Sequence, residues 1–110
     1  MLEAMYGVEF VSSQSGGGYG VAIFETGRVF GGDSSMVYIG NYQLKGDFLR
    51  VDVECTNDHS VLPSVFGNIK QFNLELEGKP ARDRFVLTGT MVEDRSMQIA
   101  IQFTRRAELP

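Results

Sequence analysis

Cys55 is the only cysteine and His59 the only histidine among the 110 residues of this chain. No intramolecular disulfide can form, so an oxidising compartment is not indicated and the cytoplasm is the expected location. One cysteine and one histidine cannot assemble a zinc site from those two ligand types. Cys55 falls within an apolar alternation and reads as a small core side chain. His59 reads as an exposed loop residue, because its neighbours Asp58 and Ser60 point apart on a loop and Cys55 would have to leave the inward face of its strand to pair with it.

Long apolar runs are missing too. The uninterrupted stretches reach only a few residues, as in Val21-Ala22-Ile23-Phe24, too short for a membrane-spanning helix. The N-terminal MLEAMYGVEF lacks a basic start and carries Glu3 and Glu9, so it reads as a first strand and not as a signal peptide. Positive charge is scarce and scattered, with Arg105-Arg106 the only adjacent basic pair. The net charge of −4 repels phosphate backbones and anionic lipid, so neither nucleic acid nor a membrane surface is an expected partner. Gly31-Gly32-Asp33 has no following helix and no G-x-x-x-x-G-K pattern, so it is no phosphate cradle. The carboxylates fall on turns and polar strand faces, as a solvated surface. With no triad, metal set or cofactor motif, the chain is read as non-enzymatic, without catalytic residues, metal ligands or cofactors.

What is present is alternation. About eight short segments switch between apolar and polar residues with period 2, the pattern of half-buried strands. The clearest sets Leu49, Val51, Val53 and Cys55 against Arg50, Asp52 and Glu54. Strands are predicted over about residues 3–12, 19–25, 28–30, 36–44, 49–55, 71–77, 84–92 and 97–104. Thr26-Gly27, Lys45-Gly46-Asp47 and the stretch 93–96 mark turns, and Gly31-Gly32-Asp33 marks the stop of the third strand and a barrel corner. Asp33 is expected to accept backbone N–H groups there. Val86 and Val92 suggest a seventh strand covered on both faces, and residues 105–110 a frayed tail. In the 57–68 connection the period is lost, and Pro63 and Gly67 fit the start and stop of one short helix. One all-β domain over residues 1–110 follows, an antiparallel barrel in which closure removes wet apolar faces and unpaired edges. A two-sheet sandwich is the competitor, disfavoured because hairpin connections dominate. Tyr6, Phe10, Tyr38, Tyr42, Phe72, Phe85 and Phe103, with Met97, are expected to point inward. They either fill the interior or line a cavity for one small hydrophobic ligand.

The order Tyr6, Phe10, Ser12, Gly18-Tyr19-Gly20, Ile23, Gly27, Gly31-Gly32-Asp33, Tyr38, Gly40 and Tyr42 is more specific than barrel punctuation. Its patterns, G-x-G-x-x-I-x-x-x-G and then G-G-D-x-x-x-x-Y-x-G, resemble the GrlR family of small bacterial proteins, negative regulators of type III secretion gene expression. Pro63-Ser64-Val65 adds to the likeness, which covers about residues 4–76. The resemblance implies a lipocalin-like barrel with one short helix, a homodimer, and regulation by protein–protein contact with a transcriptional activator. In the best-studied type an acidic loop between two strands makes that contact. The corresponding turn here is Lys45, Gly46 and Asp47, where only Asp47 is acidic. That turn, within residues 44–48, is the candidate partner-binding site, together with 31–33 and 57–67.

Overall fold

The computed structural model describes residues 2–12, 17–34, 36–57 and 71–110. Eight strands occupy them: β1 (Ala4–Ser12), β2 (Gly17–Glu25), β3 (Arg28–Asp33), β4 (Met36–Lys45), β5 (Phe48–Asn57), β6 (Gln71–Gly78), β7 (Arg84–Met91) and β8 (Gln98–Ala107). Each pairs antiparallel with its neighbour in sequence, and β1 pairs with β8, closing a barrel. A sandwich is thereby ruled out. Alternation is the reason the ring closes on one core. Leu49, Val51, Val53 and Cys55 are buried, while Arg50, Asp52 and Glu54 between them are exposed. The same phase runs through β6, with Phe72, Leu74 and Leu76 inside, and β8, with Ile99, Ile101 and Phe103 inside.

Three expectations need correction. Gly31 and Gly32 do not stop β3. They sit in its ladder, Gly31 between Ala22 and Tyr38, and Gly32 between Val21 and Val37. A Cβ on Gly31 would overlap the Val21 carbonyl oxygen, and one on Gly40 the Asp52 carbonyl oxygen. Glycine thus lets neighbouring backbones close up where the barrel bends, inside the strands and not at their ends. Second, β7 is not covered on both faces: Val86 and Val92 are exposed, and β7 ends at Met91. Third, residues 105–107 are no frayed tail, because β8 continues to Ala107 along β1. Asn57, expected at the start of the 57–68 connection, belongs to β5; the rest of that connection, with His59 and the predicted helix from Pro63 to Gly67, lies outside the described residues.

A β-bulge marks the β1–β8 seam. Tyr6 faces Arg105 and Met5 faces Ala107, so Arg106 is the extra residue. Bulges re-aim side chains. Here two adjacent arginines go opposite ways. The Arg105 side chain is almost fully buried, with its guanidinium 5.6 Å from the Tyr6 ring centroid. Arg106 instead lies on the outside, across Gly7, where a Cβ would sit 2.8 Å from its Nε.

Candidate functional site

The lumen has two unlike ends. At the end where β1, β3, β5 and β7 begin, Tyr6, Phe24, Phe85 and Phe103 pack edge to face or stacked, with ring centroids 5.0–6.1 Å apart among the contacting pairs. Tyr42 adds a fifth ring, 5.1 Å from Phe24. Arg105 caps this cluster. Its Nε donates to the Arg82 carbonyl oxygen at 2.8 Å, and its guanidinium meets Glu108 at 3.1 Å. The Tyr6 hydroxyl donates to the Leu2 carbonyl oxygen at 2.6 Å, and burial raises its pKa. The hairpin at Thr26-Gly27 closes nearby, Gly27 at φ 82° taking the backbone conformation such turns need.

Towards the other end the lining is mainly aliphatic, and an apolar cavity of about 50 Å³ remains. Of the seven aromatic residues expected to line a cavity, Phe10, Tyr38, Phe72 and Phe103 do so. Tyr6, Tyr42 and Phe85 do not; they fill the aromatic end, Tyr42 being only half-buried. Apolar cavities of about 150 Å³ hold a benzene-sized guest, and ordinary ligand pockets run to about 300 Å³ or more. The interior is therefore mostly filled.

Asp33 is the inward carboxylate at the cavity end. Its Oδ1 accepts the Met36 N–H at 2.7 Å, as expected from the sequence. Its Oδ2 accepts the Tyr38 hydroxyl, a bond sequence reasoning missed. Burial and this bond push the phenol pKa up, so Tyr38 stays a donor. A Cβ at Gly20 would lie 2.9 Å from the Tyr38 hydroxyl oxygen, which explains the glycine. Gly18, also on β2, faces Phe10 across the β1–β2 ladder. Burial, and then the Asp33 charge, push the Cys55 thiol up to about 12. That protonated thiol is a poor nucleophile and behaves as a core side chain. Among the described residues no group of three His, Cys, Asp or Glu side chains is placed to hold a metal.

Outside, the two halves of the barrel differ sharply. The outward positions of β5 to β8 carry Arg50, Asp52, Glu54, Gln71, Asn73, Glu75, Glu77, Thr88, Thr90, Gln98 and Gln102, with Val86 as an apolar exception. Charges here are tied together. Arg95 meets Glu75 at 2.7 Å and Arg50 meets it at 3.3 Å, and the Arg95 hydrogen bond leads the fall in the Glu75 pKa. Glu93 accepts both the backbone and side-chain N–H groups of Asn73, which lowers its pKa. On β1 to β4 two outward rows are apolar, bordered by Glu9, Glu25, Arg28, Asn41 and Gln43. Met5, Ile23, Phe30 and Ile39 stand opposite one another across four strands. Gly7, Val21, Gly32 and Val37 form the next row, and Tyr19 follows beside the exposed Glu9. Ile39 is 62% exposed and Tyr19 72%. An apolar face this continuous marks an interaction surface more often than a solvated one.

The predicted contact turn, Lys45, Gly46 and Asp47, is exposed, with Gly46 at φ 63°. Asp47 meets Lys79 at 3.3 Å, an exposed pair of small energetic weight. Leu44 and Phe48 flank the turn with half-exposed side chains, and an open groove lined by Leu2, Tyr42, Leu44 and Pro80 runs beside it. Contact region 31–33 is split by the fold. Asp33 and Gly31 face the lumen, whereas Gly32 belongs to the outer apolar rows. Of region 57–67, only Asn57 is described.

The apolar outer half was not singled out from the sequence. Its signal was present in Val21-Ala22-Ile23-Phe24 and Met36-Val37-Tyr38-Ile39, short runs in which both strand faces are apolar. No protein-family model matches the chain, and a search of curated proteins finds no match.

Proposed function

We propose that this protein is a non-enzymatic regulatory binding protein of the cytoplasm, similar to the negative regulators of type III secretion that bind a transcriptional activator. It works by protein–protein contact and as a homodimer. The observation that carries the reading is the apolar outer face of β1 to β4, a surface that only a macromolecular partner can cover. The glycine and tyrosine spacing of residues 18–42 supplies the link to that family. Eight antiparallel strands in sequence order support its lipocalin-like barrel, to which a short helix in the 57–68 connection also belongs. The turn Lys45-Gly46-Asp47 and the groove beside Leu44 are the partner-binding region. That turn lacks the acidic run, so the activator engaged here differs in its contact chemistry from that of the best-studied type.

The test is genetic and biochemical. Deleting and overproducing the protein in its own bacterium is expected to change transcription of secretion genes in opposite directions. The tagged protein is expected to retain a transcriptional regulator on capture and to show no DNA shift alone. Unchanged transcripts in both strains would reject the regulatory reading.

A second reading is a carrier of a small hydrophobic ligand within the barrel, favoured by the apolar cavity beside Val53 and Ile101. Its volume of about 50 Å³ restricts any guest to a few heavy atoms. Native mass spectrometry showing a co-purified lipid would promote this reading over the first.

A further inference from the structure

We infer that the mouth of the barrel at its aromatic end is a binding site for a small, neutral, planar ring ligand, stacked on the Tyr42 ring. The inference goes beyond the protein contact proposed above and does not depend on it. It also differs from an interior carrier site, because the ligand lies above the core and not within it.

A series of rings leads to the site. Phe85 stacks on Phe103 at 5.0 Å, Phe103 meets Phe24 at 5.6 Å, and Phe24 meets Tyr42 at 5.1 Å. The three phenylalanines are buried, whereas Tyr42, the last ring, is only partly so. Tyr42 completes the core through Phe24 and also lines the open groove. A flat guest on Tyr42 adds one more ring to the series, at the usual centroid spacing of about 4.5–7 Å.

Three walls surround Tyr42. Leu2 and Glu3 come from the segment before β1, Leu44 from the end of β4, and Pro80, Ala81 and Arg82 from the β6–β7 loop. These parts are fastened in place. Glu3 accepts the Thr26 N–H at 2.7 Å, and the Tyr42 N–H donates to the Gly27 carbonyl oxygen at 2.8 Å. The loop is tied twice to Arg105. Its Nε donates to the Arg82 carbonyl oxygen and its backbone N–H to that of Asp83, both at 2.8 Å. Arg105 is itself held against the Tyr6 ring and Glu108. A site built this way stands ready before its ligand arrives.

The lining sets the ligand's chemistry. The groove holds about 530 Å³, within the range of about 300–1,000 Å³ usual for small-molecule sites. A void of about 150 Å³ takes one benzene, so one or two fused rings fit. Leu2, Tyr42, Leu44, Pro80 and Ala81 make the walls apolar. Charged groups at the rim are already engaged. Glu3 holds Thr26, Arg82 meets Asp83 at 2.9 Å and Glu108 at 3.7 Å, and Lys79 meets Asp47 at 3.3 Å. A charged ligand would gain only what it takes from those pairs, so a neutral one is favoured. Depth disfavours a long acyl chain. Beneath Tyr42 the lumen is filled by Tyr6, Phe24, Phe85 and Phe103, which separate the groove from the apolar cavity beside Val53 and Ile101.

The experiment is an NMR titration of the full, isotope-labelled chain with indole as the probe, with circular dichroism to confirm that each variant folds. Indole is expected to shift Leu2, Tyr42, Leu44 and Ala81 saturably, with half-saturation at about 1 mM or below, the reach of a fragment of this size. Val53 and Ile101 should stay unshifted. Leu44→Asp, at a half-exposed side chain, and Ala81→Phe, which fills the groove, should each weaken binding about fivefold or more. Indole-3-acetate should bind no more tightly than indole, and 1-octanol, a neutral chain, about fivefold more weakly. The absence of any saturable shift overturns the inference, while secretion transcripts that still respond to the protein would leave the regulatory reading standing. Shifts confined to Val53 and Ile101 overturn it in favour of an interior carrier. Binding that survives both variants overturns the site. Tighter binding of indole-3-acetate, or equal binding of 1-octanol, overturns the ligand class.

Discussion

The aromatic end of the barrel and the cavity end solve the same filling problem with different side chains. Around Tyr6, flat rings meet edge to face, and Phe85 stacks on Phe103 at 9° between planes. Rings fitted in this way interlock closely, with centroids 5.0–6.1 Å apart. Around Val53 and Ile101, branched aliphatic side chains meet the small Ala22 and Cys55, and a void persists. The cavity end also holds a part-buried carboxylate–phenol pair, Asp33 and Tyr38. Tight packing at one end and slack with a polar fastening at the other imply different responses to substitution.

The largest difference is expected from ring removal. Phe24→Ala at the aromatic end should destabilise by about 3–5 kcal/mol, because its neighbours Tyr6, Tyr42 and Phe103 cannot collapse into the space. Chemical denaturation reads this directly. A loss below about 1 kcal/mol would mean that the end is looser than its geometry. Next comes a matched pair of additions. Ala4→Val, at a fully buried position of the aromatic end, should cost about 1–3 kcal/mol through overpacking. Ala22→Val, which points into the void, should be neutral or stabilise by up to about 1 kcal/mol. Equal effects of the two valines would erase the contrast.

Tyr38→Phe keeps the ring and removes the donor from a half-buried carboxylate. It should destabilise by about 1–3 kcal/mol. Thermal unfolding checks the value, and no change would show that water serves Asp33 equally well. The pH response separates core from surface. The Cys55 thiol is pushed up from 9.0 to about 12. Between those values the unfolded chain releases a proton that the folded chain keeps, so stability falls as pH rises. Cys55→Ala should remove that part of the alkaline slope. The smallest effect belongs to the polar outer half. Glu93 has its pKa lowered by Asn73, so its contribution is present above the ordinary carboxylate range and lost as pH falls through the folded value. Glu93→Gln should flatten the acid limb slightly, by an amount limited by solvent screening.

Much of this fold was legible in the chain, and the reason is phase. In β5, β6 and β8 every second residue is apolar, so period 2 locates both the strand and its inner face. Met36, Tyr38, Phe72 and Leu74 enter the core as the pattern requires. Legibility ended where phase breaks or loses contrast. Arg105 continues the inward phase of Ile99, Ile101 and Phe103, but a charged side chain at that point reads as the end of the strand, and the bulge at Arg106 then shifts β8 by one residue. Gly31 and Gly32 carry no side chain to report a face, so a bent strand reads as a turn. In β2 and β4 both faces are apolar, and local alternation cannot tell a core from an outer interface. The Tyr38–Asp33 bond spans a turn and depends on both residues sharing the lumen, which only the ladder between β3 and β4 establishes.

The seam between β1 and β8 has a consequence for how the molecule comes into being. Val8 and Phe103, close neighbours across it, are among the most distant residues in the chain to be paired. Every other ladder joins strands that leave the ribosome one after the other, so seven hairpin-like steps can proceed locally. Both margins of that growing ribbon stay unsatisfied until β8 arrives, and chains rich in such late, long-range pairing fold slowly. Time spent with two bare margins is time exposed to aggregation, and the last ten-residue strand is the one that ends it.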